Sequence, residues 1–548
     1  MRVIRSPRYA TETSRYTLWL LVAGMAMWIS LSARGANATS TGSWPSSLTV
    51  PKGWPNYLSM GAISNIGPSD LSNGCKVDAV FTYDGDDGGG DQGLIVLPYK
   101  PYNLCRLSTG SPDSPGYTIN RRGATGPIPV IVCYAAGFSL KNSTGMADVQ
   151  DSDNLTKHLI NLIVTSQVMN KFTATGVSPA FIMNPDCLGQ VQKDSLNPKP
   201  AGLNQALARA IYYTQTPQQA FGGKTPFEAY CGSGTPPGRG TPEGTSWLTN
   251  AEAAYAALPP TVDASSLGKM AVPSFDDTFA DWIQVQNWIV RKFSPNATLG
   301  WHLNISSDPN APGGAWFNKG CWFSADDALA NLKSFLDANQ VFKGGKITPD
   351  FIVYDRSAYD DFNSSLWPGG EFFGYTNGLA YNCDGWNNYL DFVGRVSSYY
   401  SLPIMLWQIP GGHLVQTGEA LTTDGSTSGT YFLGDKNLSL DSDGGNLAGF
   451  IKDPMTANPP GDAFPPSAFY YTTAYSPAPK SVPAWLLVGD DHDWSNGHLA
   501  RVVQNGVFAI LWGEGHTISL GPYPIDDKGW LKSHIPEKPT DYPLIPAK

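Results

Sequence analysis

Charge is scarce in this sequence. Asp, Glu, Lys and Arg make up 15 % of the 548 residues, against roughly 25 % in an average soluble domain. What charge there is leans acidic, with 46 Asp and Glu against 36 Lys and Arg. Such a chain lacks the basic surface that nucleic-acid phosphates require, which excludes a nucleic-acid partner. Cysteine is sparse too. The seven (Cys75, Cys105, Cys133, Cys187, Cys231, Cys321 and Cys383) include no C-x-x-C pair, so no zinc ribbon or dithiol redox motif is written here. A G-x-S-x-G elbow and an H-E-x-x-H pair are also missing, and the GGKT at Gly222 to Thr225 lacks the upstream glycine of a phosphate-binding loop. These absences set aside serine hydrolases and nucleotide enzymes. Beyond the first forty residues no apolar run approaches the ~20 residues of a membrane-spanning helix.

Aromatic side chains are plentiful: 17 Trp, 25 Tyr and 23 Phe, 12 % of the chain. So apolar a chain can bury a core, which excludes general disorder. The 58 Gly and 44 Pro punctuate it too often for a helical bundle or coiled coil. At the N-terminus Arg2, Arg5, Arg8 and Arg15 precede an apolar run from Tyr16 to Leu31, and Ala36-Asn37-Ala38 follows. That order of basic, apolar and small residues predicts a cleaved secretory signal peptide over 1–38, with an uncleaved anchor as the alternative. Its removal takes five Arg and one Glu and carries the formal net charge from −10 to −14. Export to an oxidising compartment makes disulfides the expected fate of the cysteines. Cys75 with Cys105 and Cys321 with Cys383 are the expected pairs, leaving Cys133, inside an apolar run, as a buried thiol.

Eight short apolar runs follow: Tyr57 to Asn65, Val77 to Tyr83, Pro129 to Tyr134, Ala180 to Asn184, Leu299 to Asn304, Phe351 to Tyr354, Ile404 to Gln408 and Val507 to Trp512. Most are succeeded by a helical pattern, and that alternation predicts parallel βα units closing into an α/β fold of the (β/α)8 type. One domain over 39–548 is expected. In it Asp153 caps a helix carrying Leu155, Leu159, Leu162 and Ile163, and Ser274 with Asp277 and Ser324 with Asp327 open two more. Two excursions, 190–273 and 411–493, leave from strand C-terminal ends, where they are expected to wall a cleft.

Residues at strand C-terminal ends face the functional side of such a barrel. The sequence puts Asp84, Asp86 and Asp87 there, then Tyr134, Asp186, His302, Asn304, Asp355, Arg356, Trp407, Gln408, Trp512, Glu514 and His516. Carboxylates facing one another beside aromatic rings suit glycosidic bond cleavage: one acid protonates the leaving oxygen, another carboxylate attacks or activates water, and the rings stack on sugars. Against this, Asp186 after Pro185 is equally a turn former, Asp355 with Arg356 an ion pair, and the two tryptophans barrel filling. The DGDDGGGD stretch at Asp84 to Asp91 offers oxygen ligands for Ca²⁺ without the spacing of an EF-hand. Asp491, His492, Asp493 and His498 offer a weaker transition-metal set.

The segment AFIMNPDCLG, Ala180 to Gly189, resembles the general-acid motif of the glycoside hydrolase family 6 cellulases, in which a strand ends in Glu-Pro-Asp-x-Leu. The resemblance places the acid at Asp186, with Asn184 where the motif has Glu. The series NPDCLG, LGWHLN, FIVYDRSAYDDF, LPIMLWQIPGG and GVFAILWGEG is similar to secreted glycoside-hydrolase-like barrel proteins. Together these imply a monomeric, secreted glycoside hydrolase cleaving a polysaccharide, a β-glucan such as cellulose. Asp186 is the expected acid, and Asp355 and Glu514 the candidates for base or nucleophile. Tyr134, His302, Asn304, Trp407, Gln408, Trp512 and His516 are the expected substrate contacts, and no obligatory cofactor is implied. Two alternatives stand: a non-catalytic carbohydrate-binding barrel, favoured by Asn184, and a metal-assisted hydrolase using Asp491, His492 and His498.

Overall fold

In the computed structural model every one of the eight runs is a strand, and all eight are joined in register-matched parallel pairs. The described residues are 43–63, 76–85, 95–108, 126–139, 142–171, 178–232, 237–238, 240–268, 270–303, 325–356, 379–380, 383–411, 428–436, 470–471, 494–513, 530–536 and 541–544. The signal segment 1–38, Cys75, Cys321, Ser324 and most of 411–493 lie outside them.

The barrel strands are β1 (Ser59–Ile63), β2 (Ala79–Gly85), β3 (Ile128–Tyr134), β4 (Ala180–Met183), β5 (Thr298–Leu303), β6 (Phe351–Asp355), β7 (Ile404–Ile409) and β8 (Val507–Trp512). Each pairs with its sequence neighbour, and β8 closes on β1. The chain is thus an α/β protein with a closed eight-stranded (β/α)8 barrel. Both strand faces are covered, so the runs are continuously apolar rather than alternating. Alternation still decides which residues enter the barrel. On β2, Phe81 and Tyr83 point inward and meet Trp407 of β7 across the barrel at 6.3 and 6.1 Å between ring centroids. Phe351 of β6 and Phe508 of β8 meet below them at 5.4 Å. A Cβ at Gly300 on β5 would collide with the Phe351 ring, so a glycine there lets the large ring fill the interior.

The outer layer begins with α1 (Tyr99–Leu107), α2 (Asn142–Gln150) and α3 (Ser152–Lys171). The cap of α3 is Asp151, not Asp153: Asp151 Oδ1 accepts from the Asp153 and Asn154 amides at 3.0 and 2.9 Å. Asp153 sits in the first turn and pairs instead with Arg209 at 2.8 Å. Four helices fill the excursion after β4 and the return to β5: α4 (Cys187–Lys193), α5 (Leu203–Gln215), α6 (Pro226–Cys231) and α7 (Pro242–Ala256). Then comes α8 (Phe279–Phe293), capped by Thr278, whose hydroxyl accepts from the Asp281 amide at 3.1 Å. The expected Ser274/Asp277 box does not form there; Asp277 accepts from the Leu203 amide and ties α5 to α8. Further helices are α9 (Ala325–Ala338), α10 (Cys383–Tyr400), α11 (Ser428–Leu433) and α12 (Leu499–Gln504).

The excursion departs from expectation. Among the described residues, α4 packs on the turn after β3 and on β5, whereas α5 and α6 pack against α3. The Tyr255 hydroxyl of α7 reaches Asp153 at the start of α3, and Lys171 at its end donates to the Cys231 carbonyl at 3.0 Å. The insertion is therefore mainly a second outer layer on α3 rather than a cleft wall.

The disulfide expectation is corrected at Cys105, a buried free thiol with its Sγ 3.2 Å from Met169 Sδ. It faces Met169 of α3. Cys133 is buried and free as expected, and so are Cys187 and Cys231. The Cys321–Cys383 pair lies outside the described side chains.

Candidate active site

Three strand ends build the mouth. After β4 the chain turns through Asn184 (φ +44°) and Asp186 (φ +63°), both in the left-handed region that non-glycine residues rarely occupy. Asn184, fully buried, holds the turn: its Oδ1 accepts from the Ala135 amide at 2.8 Å and its Nδ2 donates to Gln286 Oε1 of α8 at 2.6 Å. The residue that departs from the family 6 motif is thus a structural clamp. Asp186 stands at the N-cap position of α4, but its side chain makes no capping hydrogen bond, and it stays half-buried. Its left-handed backbone is what a turn-forming Asp adopts, and its carboxylate is not folded onto its own helix, so the turn and a role at the mouth are compatible.

His302, on the inward face of β5, joins the two carboxyl-bearing residues. Its Nδ1 accepts from the Asp186 backbone N–H at 3.1 Å, which assigns the ring proton to Nε2. Nε2 lies 3.1 Å from Asp355 Oδ1 at the end of β6. The N–H is not well aligned on that oxygen, so the contact is more electrostatic than directional. His302 is 1 % exposed and both ring nitrogens are engaged by protein, so it positions groups rather than contacting a substrate as expected. Asp355 is 5 % exposed, and the fully buried Arg356 follows it.

Aromatic rings complete the mouth. Trp407 spans the barrel beneath it, 5.2 Å edge-on from His302. Tyr83 and Tyr134, both half-buried, stand 6.3 Å apart. Gln408 takes a left-handed φ of +52° where the β7–β8 register shifts, which swings its amide to donate to the Tyr83 hydroxyl at 2.8 Å. Tyr83 escaped the sequence reading, which stopped at the Asp84 beside it. Two-residue alternation from Phe81 is the signal that marks it.

Several expected residues stand elsewhere. Trp512 is fully buried and donates to Met60 Sδ at 3.4 Å, with Phe432 packed on it at 5.9 Å. Asp84 turns outward and accepts from the Thr165 hydroxyl of α3 at 2.5 Å. His498 stacks on Tyr431 at 4.2 Å, its Nδ1 2.7 Å from the Tyr431 carbonyl. Asn304, Glu514, His516, Asp86, Asp87, Asp491, His492 and Asp493 lie outside the described residues. Among the described residues no three His, Cys, Asp or Glu side chains converge as a metal site.

The fold and this arrangement define a (β/α)8-barrel protein with an acidic, aromatic mouth. In comparisons with known proteins, no family model matches the chain and no curated protein matches it.

Proposed function

We propose that this barrel is an exported glycoside hydrolase that cleaves a polysaccharide, with a β-glucan as the substrate class. The observation that carries the reading is that one imidazole, His302, touches the Asp186 backbone amide and the Asp355 carboxylate above Trp407 and beside Tyr83 and Tyr134, so both acidic residues stand at one mouth. Glycosidic cleavage needs two carboxyl groups in fixed relation, and rings for the sugar faces. In this reading Asp186, less buried and with a side chain that makes no capping hydrogen bond, donates the proton to the leaving oxygen. Asp355, held by His302, is the base or nucleophile. His302, with Nε2 3.1 Å from Asp355 Oδ1, holds that carboxyl group in place at the end of β6. Export rests on the basic, apolar and small-residue order of 1–38.

A non-catalytic carbohydrate-binding barrel is the competing reading. The loss of the motif's Glu at position 184 favoured it, but Asn184 serves the turn and leaves both carboxylates in place. Release of new reducing ends from a panel of β-glucans, xylan and mannan by the purified protein separates the two. Binding without release supports the binder, and release lost in both Asp186→Asn and Asp355→Asn supports the hydrolase.

A further inference from the structure

The insertion carries a cavity of its own, of about 1000 Å³, between the 3-10 turn Gln219–Phe221 and the N-terminal half of α7. Its place follows from the two contacts that anchor the insertion along α3. The end of α7 lies at the start of α3 through Tyr255 and Asp153. The start of α3 directly follows the loops of the barrel mouth. The cavity lies at the opposite end of α7, beside Trp247, and toward the α6 end tied to Lys171 at the close of α3. It therefore opens on the flank of the barrel, away from the mouth, and a ligand in it would be out of reach of Asp186 and Asp355.

The lining has a definite chemical character. Phe221 and Trp247 form an aromatic corner, their ring centroids 5.5 Å apart and their planes 38° off parallel. Thr241, Ser246 and Asn250 line the same cavity with hydroxyl and amide groups, and Lys224 and Glu243 add one charge of each sign. The charges cancel, so nothing selects an anion or a cation. Trp247 is 5 % exposed, and its indole N–H has no acceptor among the described residues, whereas a buried tryptophan usually finds one. Gly222, at positive φ, is among the lining residues. Volume, aromatic surface and a few placed polar groups are the ordinary make-up of a small-ligand site, for which ~300 to 1,000 Å³ is typical.

We infer that this cavity is a second binding site, for a neutral, hydroxyl-rich ligand of the oligosaccharide class, which holds carbohydrate without cleaving it. The class rests in part on the saccharide reading of the mouth; the location and neutrality do not. Held there, a polysaccharide chain would be kept near the mouth at a raised effective concentration.

Ser246 tests the inference, because it is exposed on α7 and lines the cavity, so Ser246→Trp fills the space without burying anything in the core. Asn250→Ala, at a half-buried lining position, removes one polar group and serves as a second variant. Binding of neutral gluco-, xylo-, manno- and chito-oligosaccharides is measured by calorimetry for the wild type, both variants and Asp355→Asn, with circular dichroism to confirm folding. The expected result is one class of binding weakened at least tenfold by Ser246→Trp, weakened less by Asn250→Ala, and retained by Asp355→Asn. Binding unchanged in folded Ser246→Trp, or no saturable binding to any of the four series, overturns the inference. If the wild type cleaves one of these sugars while Ser246→Trp binds like it, the inference fails and the hydrolase reading stands. If cavity binding is found and no sugar is cleaved, the reverse holds.

Discussion

Asn184, Asp186 and Gln408 occupy a backbone region that costs a non-glycine residue of order 1–3 kcal/mol each unless the surroundings impose it, and all three ring the barrel mouth. For Asn184 the surroundings are its bonds to Ala135 and Gln286. Asn184→Ala leaves the Ala135 amide and the Gln286 carbonyl group without partners, so a loss of roughly 2–6 kcal/mol is expected, at about 1–3 kcal/mol for each buried group left unsatisfied. Urea unfolding checks this, and an unchanged midpoint would contradict it. His302 is the residue whose role no spacing in the sequence announces, because its partners are 116 residues upstream and on the next strand. His302→Gln is expected to lower kcat at least tenfold with little change in KM, since it loosens Asp355 without removing a sugar contact. A rise in KM at constant kcat would assign His302 to substrate binding instead. The buried thiols form a separate group. Burial pushes Cys133 and Cys187 well above the ordinary thiol range and Cys231 up to about 11. The thiolate is the reactive form, so these three and Cys105 should resist iodoacetamide at pH 8 in the native protein. All four should alkylate in denaturant without reductant. A peptide map showing Cys105 bridged would refute its assignment as a free thiol.

At the level of elements, the strands were legible and their partners' faces were not. Each of the eight runs became a barrel strand because a continuous apolar stretch of four to eight residues between breakers has few other uses in an alternating chain. Two helix caps were misplaced, by two and by four residues, since Asp151, Asp153, Asp277 and Thr278 are all good capping types and only the backbone decides among them, while the helix Ala325–Ala338 begins where Ser324 with Asp327 puts it. Asp151→Ala is therefore expected to cost about 1 kcal/mol as a lost cap. Asp153→Ala should cost less, because an exposed pair such as Asp153–Arg209 contributes about 0–1 kcal/mol. The Arg209 hydrogen bond holds the Asp153 carboxyl below its usual range. Its contribution is present above the unfolded carboxylate pKa of about 4 and fades as the pH falls through the lower folded value. Thermal unfolding of both variants at pH 7 and at pH 3 reads this out: the Asp153→Ala deficit should shrink at pH 3. The insertion's placement on the flank was not legible at all, because an amphipathic stripe says that a helix packs and not on what.

The whole molecule pairs a closed scaffold with a mouth assembled from strands distant in sequence. Tyr83 comes from β2, Tyr134 from β3, Asp186 from the end of β4, His302 from β5, Asp355 from β6, and Trp407 with Gln408 from β7. Barrel closure supplies their proximity, and the filled interior around Phe81, Phe351, Trp407 and Phe508 supplies rigidity. That is why Asp186 and Asp355 could be nominated one by one from strand ends, while Tyr83 and the His302 contact with the Asp186 backbone amide and the Asp355 carboxylate emerged only from the closed barrel. The central claim is that these two carboxyl groups act together on a glycosidic bond. Its most direct measurement is reducing-end release by wild type, Asp186→Asn, Asp355→Asn and the double variant on the polysaccharide that the wild type cleaves fastest. The account predicts that each single substitution lowers kcat at least a hundredfold, that the double variant is scarcely worse than either, and that thermal stability and substrate affinity are largely preserved. Wild-type turnover in both single variants, or no release by the wild type from any polysaccharide tested, would contradict it.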